Sequence, residues 1–292
     1  MSDPLVPLTQ KHSRSFRQQK YVYPVVSRRS RGVSVGINLS PGCLCNFLCA
    51  YCQVNGVYRR ERENSGKPVS VDFRELEAEL RKTVKTVLDG SLYDDPVFSQ
   101  TPQEKRRLND LAFSGDGEPS ISPAFYEAMQ IAVKVHREMC PESVKIVLIT
   151  NATTFHRAKV LETLELMMRH NGEIWAKLDA GTPDQYNRIN RSAVPYSVVL
   201  ENLEMVSRKF PIVIQSIFLR ENGVSPTEEE VAAYIRRLKQ ITQSGGKINR
   251  VQIYTVARLT LESWVQPLSE TELNAISHQV ATETGLAVET FC

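Results

Sequence analysis

Cys45, Cys49 and Cys52 stand at C-x3-C-x2-C, and with Cys43 they place four of the chain's six cysteines within ten residues. Where thiols stay reduced, crowding of this kind points to metal binding or catalysis rather than to disulfides. Three thiolates can each hold one iron of a [4Fe–4S] cubane, leaving the fourth iron with an open coordination position. Structural zinc is the competing chemistry, but it closes four ligands and usually draws them from two separated pairs or from a following His. No second cysteine pair follows here, and the nearest downstream histidine is His136. The site therefore reads as three-liganded.

Ser40-Pro41-Gly42-Cys43 precedes the triplet and the aromatic Tyr51 stands directly before Cys52. With these flanks the stretch resembles the radical S-adenosylmethionine (SAM) superfamily. The resemblance implies that Cys45, Cys49 and Cys52 carry a [4Fe–4S] cluster and that SAM chelates the open iron. One electron then cleaves SAM to methionine and a 5′-deoxyadenosyl radical, which takes a hydrogen atom from substrate. Lys177-Leu178-Asp179-Ala180, Arg188-Ile189-Asn190-Arg191 and the stretch from Arg250 to Arg258 are similar to the branch related to tRNA wyosine-forming Fe–S oxidoreductases. For SAM, the resemblance singles out Tyr51, the Gly115-Asp116-Gly117-Glu118 turn, Asn151, Tyr254 and Val256, and Gln215, the odd polar residue of an apolar run, is assigned with them. In that turn Asp116 replaces the first glycine of the family's Gly-Gly-Glu pattern. Lys177, Asp179 and Arg258 fall to substrate or to the groups supporting it, and Cys292, read as a thiol on a mobile tail, to hydrogen donation.

Positioning these residues requires strands that end where they stand. Six β-rich runs are evident: Val33–Leu39, Leu111–Ser114, Val144–Ile149, Ile174–Ala180, Ile212–Leu219 and Arg250–Arg258. Helical periodicity separates them, over Val71–Leu88, Ser122–Cys140, Phe155–His170, Val198–Lys209 and Ser225–Gln243. Alternating strands and helices predict an α/β fold with a parallel sheet and right-handed crossovers, its ligand residues gathered at the strands' C-terminal ends. The resemblance implies a partial (β/α)6 TIM-like barrel of the radical SAM type. Ser225 to Glu228 and Ser269 to Glu272 read as capping boxes, and 91–107 as a polar insertion that could serve as a lid. The expected division is a basic N-terminal extension over 1–32, the barrel over 33–265, and a C-terminal helix and tail over 266–292.

Several of these residues carry a plainer reading too. The Gly115–Glu118 turn could be a tight strand-to-helix connection, Asn151 an ordinary turn cap, Lys177 and Asp179 a simple ion pair, Arg258 a strand cap, and Cys292 a tail thiol with no role. The net charge of +3 resolves into +6 over residues 1–32, from seven basic residues and Asp3, and −3 over the remainder. Such an arm either meets an anionic partner such as RNA or lies solvated on the surface. No targeting signal and no apolar run long enough for a membrane span is present, which predicts a cytoplasmic protein. Cys43, Cys140 and Cys292 do not form the spaced set of a second cluster. The expected partners are a one-electron donor such as flavodoxin or ferredoxin and an unidentified substrate, a nucleic-acid base among the candidates. A glycyl-radical activase, a peptide- or small-molecule-modifying enzyme, and a non-catalytic metal-containing RNA-binding module are the alternatives.

Overall fold

The computed structural model describes residues 16–41, 45–53, 70–258, 260 and 262–292. Cys43, the Arg59–Arg62 run and the first fifteen residues of the basic arm lie outside them. Contacts divide the chain into two compact units, one of Met1–Leu44, Val57–Ile149 and Ala158–Glu173, the other of Cys45–Gly56, Thr150–Arg157 and Ile174–Cys292.

The first unit opens with a hairpin. β1 (Val22–Ser27) runs antiparallel to β2 (Gly32–Ile37), with Val22 opposite Ile37 and Ser27 opposite Gly32. A side chain at Gly36 would strike the Tyr23 ring across the pair, its Cβ only 2.3 Å from the ring carbon, so the close approach requires glycine. The expected extension boundary at 32 thus cuts through a hairpin. Val22, Tyr23 and Val26 are buried and form a strand of the sheet, and Pro24 is tolerated because among the described residues β1 pairs only with β2. What anchors the start of β1 is a carboxylate. Glu79, on α1 (Phe73–Leu88), accepts the backbone N–H groups of Lys20, Tyr21 and Val22 at 2.7, 2.8 and 3.0 Å. Asp72 caps that helix by accepting from the N–H groups of Arg74 and Glu75.

β3 (Leu108–Phe113) follows parallel to β2, then α2 (Phe125–Met139), β4 (Lys145–Thr150) parallel to β3, and α3 (Ala158–Met168). Residues 91–107 are a packed segment rather than a lid. Leu92 and Phe98 are buried, the Phe98 ring meets Phe16 edge-on at 5.8 Å, and Arg106 donates to the Ser99 and Thr101 carbonyls. Two short 3-10 turns at Ser91–Asp94 and Gln103–Lys105 have no period for sequence patterning to reveal.

In the second unit β5 (Gly172–Lys177) is followed by α4 (Pro183–Ile189), α5 (Tyr196–Lys209) and β6 (Ile212–Ile217). β7 (Leu219–Glu221), α6 (Glu228–Gln243), β8 (Ile248–Tyr254), β9 (Val265–Pro267), α7 (Glu270–Thr284) and β10 (Val288–Phe291) complete it. β5, β6, β8 and β10 pair in parallel in that order, and β7 pairs antiparallel with β9. All six residues of β6 are buried, as a strand covered on both faces requires.

The register sets Lys177 beside Gln215, Gln215 beside Gln252, and Ile217 and Phe291 on either side of Tyr254. All six expected strands are present. The tail is not loose, because its last residues form β10 and the Phe291 carbonyl accepts from the Thr255 N–H at 3.4 Å. The box opening α6 is also shifted by two residues. Thr227 and Glu230 cap one another, while the Ser225 hydroxyl bonds to Glu272. The box at Ser269 and Glu272 is where the pattern placed it.

Candidate active site

The cysteine loop is pinned by the residues that end α4. Leu48 N–H donates to the Asn190 carbonyl at 3.0 Å and Ala50 N–H to the Ile189 carbonyl at 2.8 Å, while Cys52 N–H closes a turn on the Cys49 carbonyl. Asn46 is held from three directions. Its amide donates to Thr153 Oγ1 at 2.8 Å, its side-chain oxygen accepts from Asn151 at 2.8 Å, and its carbonyl accepts from Ser192 at 2.9 Å. Ala50, Ile189, Leu219 and Val265 form an apolar cluster under the loop, against which Tyr51, Val256 and Trp264 pack. The loop's geometry is thus set by main-chain bonds and packing before any metal is considered.

Around Cys49 and Tyr51 three predicted residues converge, Lys177, Asp179 and Tyr254. The Tyr51 hydroxyl donates to Asp179 Oδ2, and Lys177 Nζ donates to the Tyr51 hydroxyl at 3.0 Å and to the Tyr254 hydroxyl. The ammonium also stands over both rings, 4.8 and 5.2 Å from their centroids. Lys177 and Asp179 form an ion pair at 3.7 Å, with the carboxylate side chain 1% exposed. Two further donors satisfy that carboxylate: the Ile217 N–H at 3.1 Å and the Asn190 amide at 2.9 Å. A buried charge is tolerated when it is paired and hydrogen-bonded in this way.

Electrostatics follow the packing. Burial works against the Lys177 ammonium, but Asp179 and then Tyr254 outweigh it and hold its pKa above the ordinary lysine value. Burial and the Asp179 carboxylate keep the Tyr51 phenol protonated well beyond its usual range. Burial pushes the Cys49 thiol up to about 11, with Asp179 adding to the shift and Lys177 opposing it.

Other predicted residues have their own surroundings. Asn151 accepts from the Thr153 N–H and hydroxyl while donating to Asn46, so it caps a turn and braces the cysteine loop at once. Gln215 is fully buried and donates to Gln252 at 2.7 Å, and Gln252 in turn donates to Glu289. Arg258 donates to Gln53, next to Cys52, at 3.1 Å. Cys292 is exposed and directly follows β10. In the first unit Gly115 has φ +134, and a Cβ there would lie 2.6 Å from the Asn38 side chain. Asn38 donates to Asp116 at 2.7 Å, Gly117 is half-buried, and buried Glu118 accepts from the Ser120 N–H and hydroxyl.

Asn46, Thr153, Asn190 and Ser192 were not among the predicted site residues. Only Asn190 carried a sequence signal, as part of Arg-Ile-Asn-Arg.

The donor set fits a cluster. Cys45, Cys49 and Cys52 are half-buried, none is in a disulfide, and two of their sulfurs accept N–H bonds, Cys45 from Phe47 at 3.4 Å and Cys49 from Asn190 at 3.7 Å. Among the described residues no three His, Cys, Asp or Glu side chains converge as for a single ion. Among the described residues, too, no helix is long and apolar enough to cross a membrane.

Comparison with known proteins agrees with this reading. The family model described as the radical SAM superfamily matches residues 39–232. A curated relative, GTPase Obg of Brachyspira hyodysenteriae, is 24% identical over 93% of the chain, which spans about a third of that protein's length. Among solved structures, a radical SAM methyltransferase from Sphaerobacter thermophilus superposes with TM-score 0.59 at 13% identity, covering 92% of this chain and 68% of that one. TYW1 with a lysine-pyruvate adduct bound superposes with TM-score 0.55 at 13% identity, covering 96% and 82%. These likenesses establish the fold, the partial (β/α)6 barrel expected from the sequence. With the family model spanning the cysteine loop and strands β3 to β7, the chain belongs to the radical SAM superfamily, enzymes that use a [4Fe–4S] cluster, SAM and a reducing electron donor.

Proposed function

We propose that this protein cleaves SAM reductively and abstracts a hydrogen atom from a nucleic-acid base, with Cys45, Cys49 and Cys52 as the cluster ligands. The observation that carries the reading is the pinned cysteine loop, its Tyr51 fixed by Lys177 and Asp179 in one hydrogen-bonded group. When bound, cluster and SAM supply the radical: one electron breaks the sulfonium's C5′–S bond to give methionine and 5′-deoxyadenosyl.

The protein's own contribution is placement. Lys177 is engaged by two phenols and a carboxylate, so it fixes Tyr51 and Tyr254 and lends positive charge beside Cys49. For SAM contact, Tyr51, Asn151, Gln215, Tyr254 and Val256 are the residues proposed. Arg258, bound to Gln53, is proposed to orient the far end of the cysteine loop. Cys292, held after β10, is proposed as a hydrogen donor to a substrate radical. The proposed electron donor is a flavodoxin or ferredoxin.

The nucleic-acid substrate is supported by the wyosine-branch likeness of Lys177–Ala180 and Arg188–Arg191 and by the basic arm. Anaerobic reconstitution is the test. A brown protein with about four irons per chain that releases 5′-deoxyadenosine when reduced with SAM supports the reading, and a colourless zinc protein overturns it. Transfer of label from a deuterated RNA base into 5′-deoxyadenosine supports the substrate class. Transfer only from a peptide or small molecule overturns that part.

A further inference from the structure

Asn190 is 2% exposed, and its amide nitrogen has two acceptors: Asp179 Oδ2 at 2.9 Å and Cys49 Sγ at 3.7 Å. Its carbonyl meanwhile receives the Leu48 N–H, one residue before Cys49. A side-chain donor is therefore aimed at one thiol of the triplet, fixed on its far side by a buried carboxylate. Cys45 accepts a bond from the main chain, through the Phe47 N–H.

Hydrogen bonds to thiolate sulfur are among the factors that set an iron–sulfur cluster's potential. Reduction adds one electron to the cluster and increases negative charge on its ligands. An N–H directed at a ligand sulfur stabilises that reduced state more than the oxidised one.

We propose that Asn190 is a positioning residue that raises the reduction potential of the cluster through its N–H to Cys49, with Asp179 fixing the amide's orientation. The inference rests on the cluster reading given above. It assigns a function to the central asparagine of Arg188-Ile189-Asn190-Arg191 that a purely structural role in the loop does not require.

The test compares the full native chain with Asn190→Leu, which keeps the side chain's branching and deletes the donor. Both are reconstituted anaerobically with iron and sulfide, assayed for iron, and titrated with dithionite and mediator dyes while EPR follows the reduced cluster. The expected result is full iron loading in both and a midpoint shifted to more negative potential in the variant. A variant that loads fully and titrates at the native potential overturns the inference and leaves the cluster reading intact. If the variant fails to load, the native protein decides. With asparagine labelled with 15N at the side-chain amide, the reduced native cluster is expected to show a 15N coupling by ENDOR, and its absence overturns the inference. A native chain that forms no iron–sulfur cluster removes the cluster reading and this inference together.

Discussion

Glu79 and Asp179 are both buried carboxylates, yet they serve the molecule differently. Among the described residues Glu79 accepts from Lys20, Tyr21 and Val22 through main-chain N–H groups alone, donors that almost any sequence would offer. Asp179 accepts from the Tyr51 hydroxyl and the Asn190 amide and pairs with Lys177, side chains that surround the cysteine loop, with one main-chain donor besides. The first fixes where a strand begins. The second fixes how chemically active groups face one another. A buried charge whose partners are mostly specific side chains marks a site, and one whose partners are backbone marks the fold.

The contrast can be broken at several points. The largest effect is expected at the sulfur that Asp179's network surrounds: Cys49→Ala should abolish cluster uptake and 5′-deoxyadenosine release while leaving the unfolding midpoint nearly unchanged. Asp179→Ala should then lower iron affinity or SAM cleavage by about 10–100-fold, the usual consequence of losing a group that orients a metal ligand. Iron titration and product chromatography read both.

Glu79→Ala should do the reverse. Three main-chain donors lose a charged acceptor, at a cost of about 3 kcal/mol in urea unfolding, with SAM cleavage per folded molecule unaltered. Equal losses of activity from Glu79→Ala and Asp179→Ala would erase the distinction.

Asp110 sharpens the contrast within the first unit. Burial raises its pKa to about 6, against the hydrogen bond from Ser34. Because the folded pKa lies above the unfolded value, the native state binds the proton more tightly. Its contribution is therefore full below about pH 4 and lost as pH rises through about 6. Asp110→Asn should flatten stability across that window and gain on the order of 2–3 kcal/mol above it, as measured by urea midpoints against pH. The smallest effect concerns α6. Thr227→Ala should cost about 1 kcal/mol as the true cap, with the loss at Ser225→Ala arising from Glu272 instead.

Strand order was legible because buried parallel strands leave continuous β-branched runs such as Ile212-Val213-Ile214, and intervening helices leave a 3.6-residue period. The hairpin strand β1 was not, since Pro24 and the arginines of its turn resemble a solvated arm until a partner strand is supplied. Residues 91–107 were misread for a related reason: two 3-10 turns bury Leu92 and Phe98 without periodicity. Within the candidate site the sequence offered Lys177 and Asp179 as a pair, but not that Tyr51 and Tyr254 join them in one hydrogen-bonded group.

By itself the sequence determined the metal chemistry, because thiol number and spacing are local properties of ten residues, and it determined the alternating elements, because periodicity is local too. Only the tertiary structure decided that Asn190 bonds to Cys49, that Asn46 is braced by Asn151, Thr153 and Ser192, and that one lysine holds two tyrosines. Those pairs lie from 77 to 146 residues apart along the chain. Bonds over such separations exist only once strands have set their register, and no local pattern encodes them.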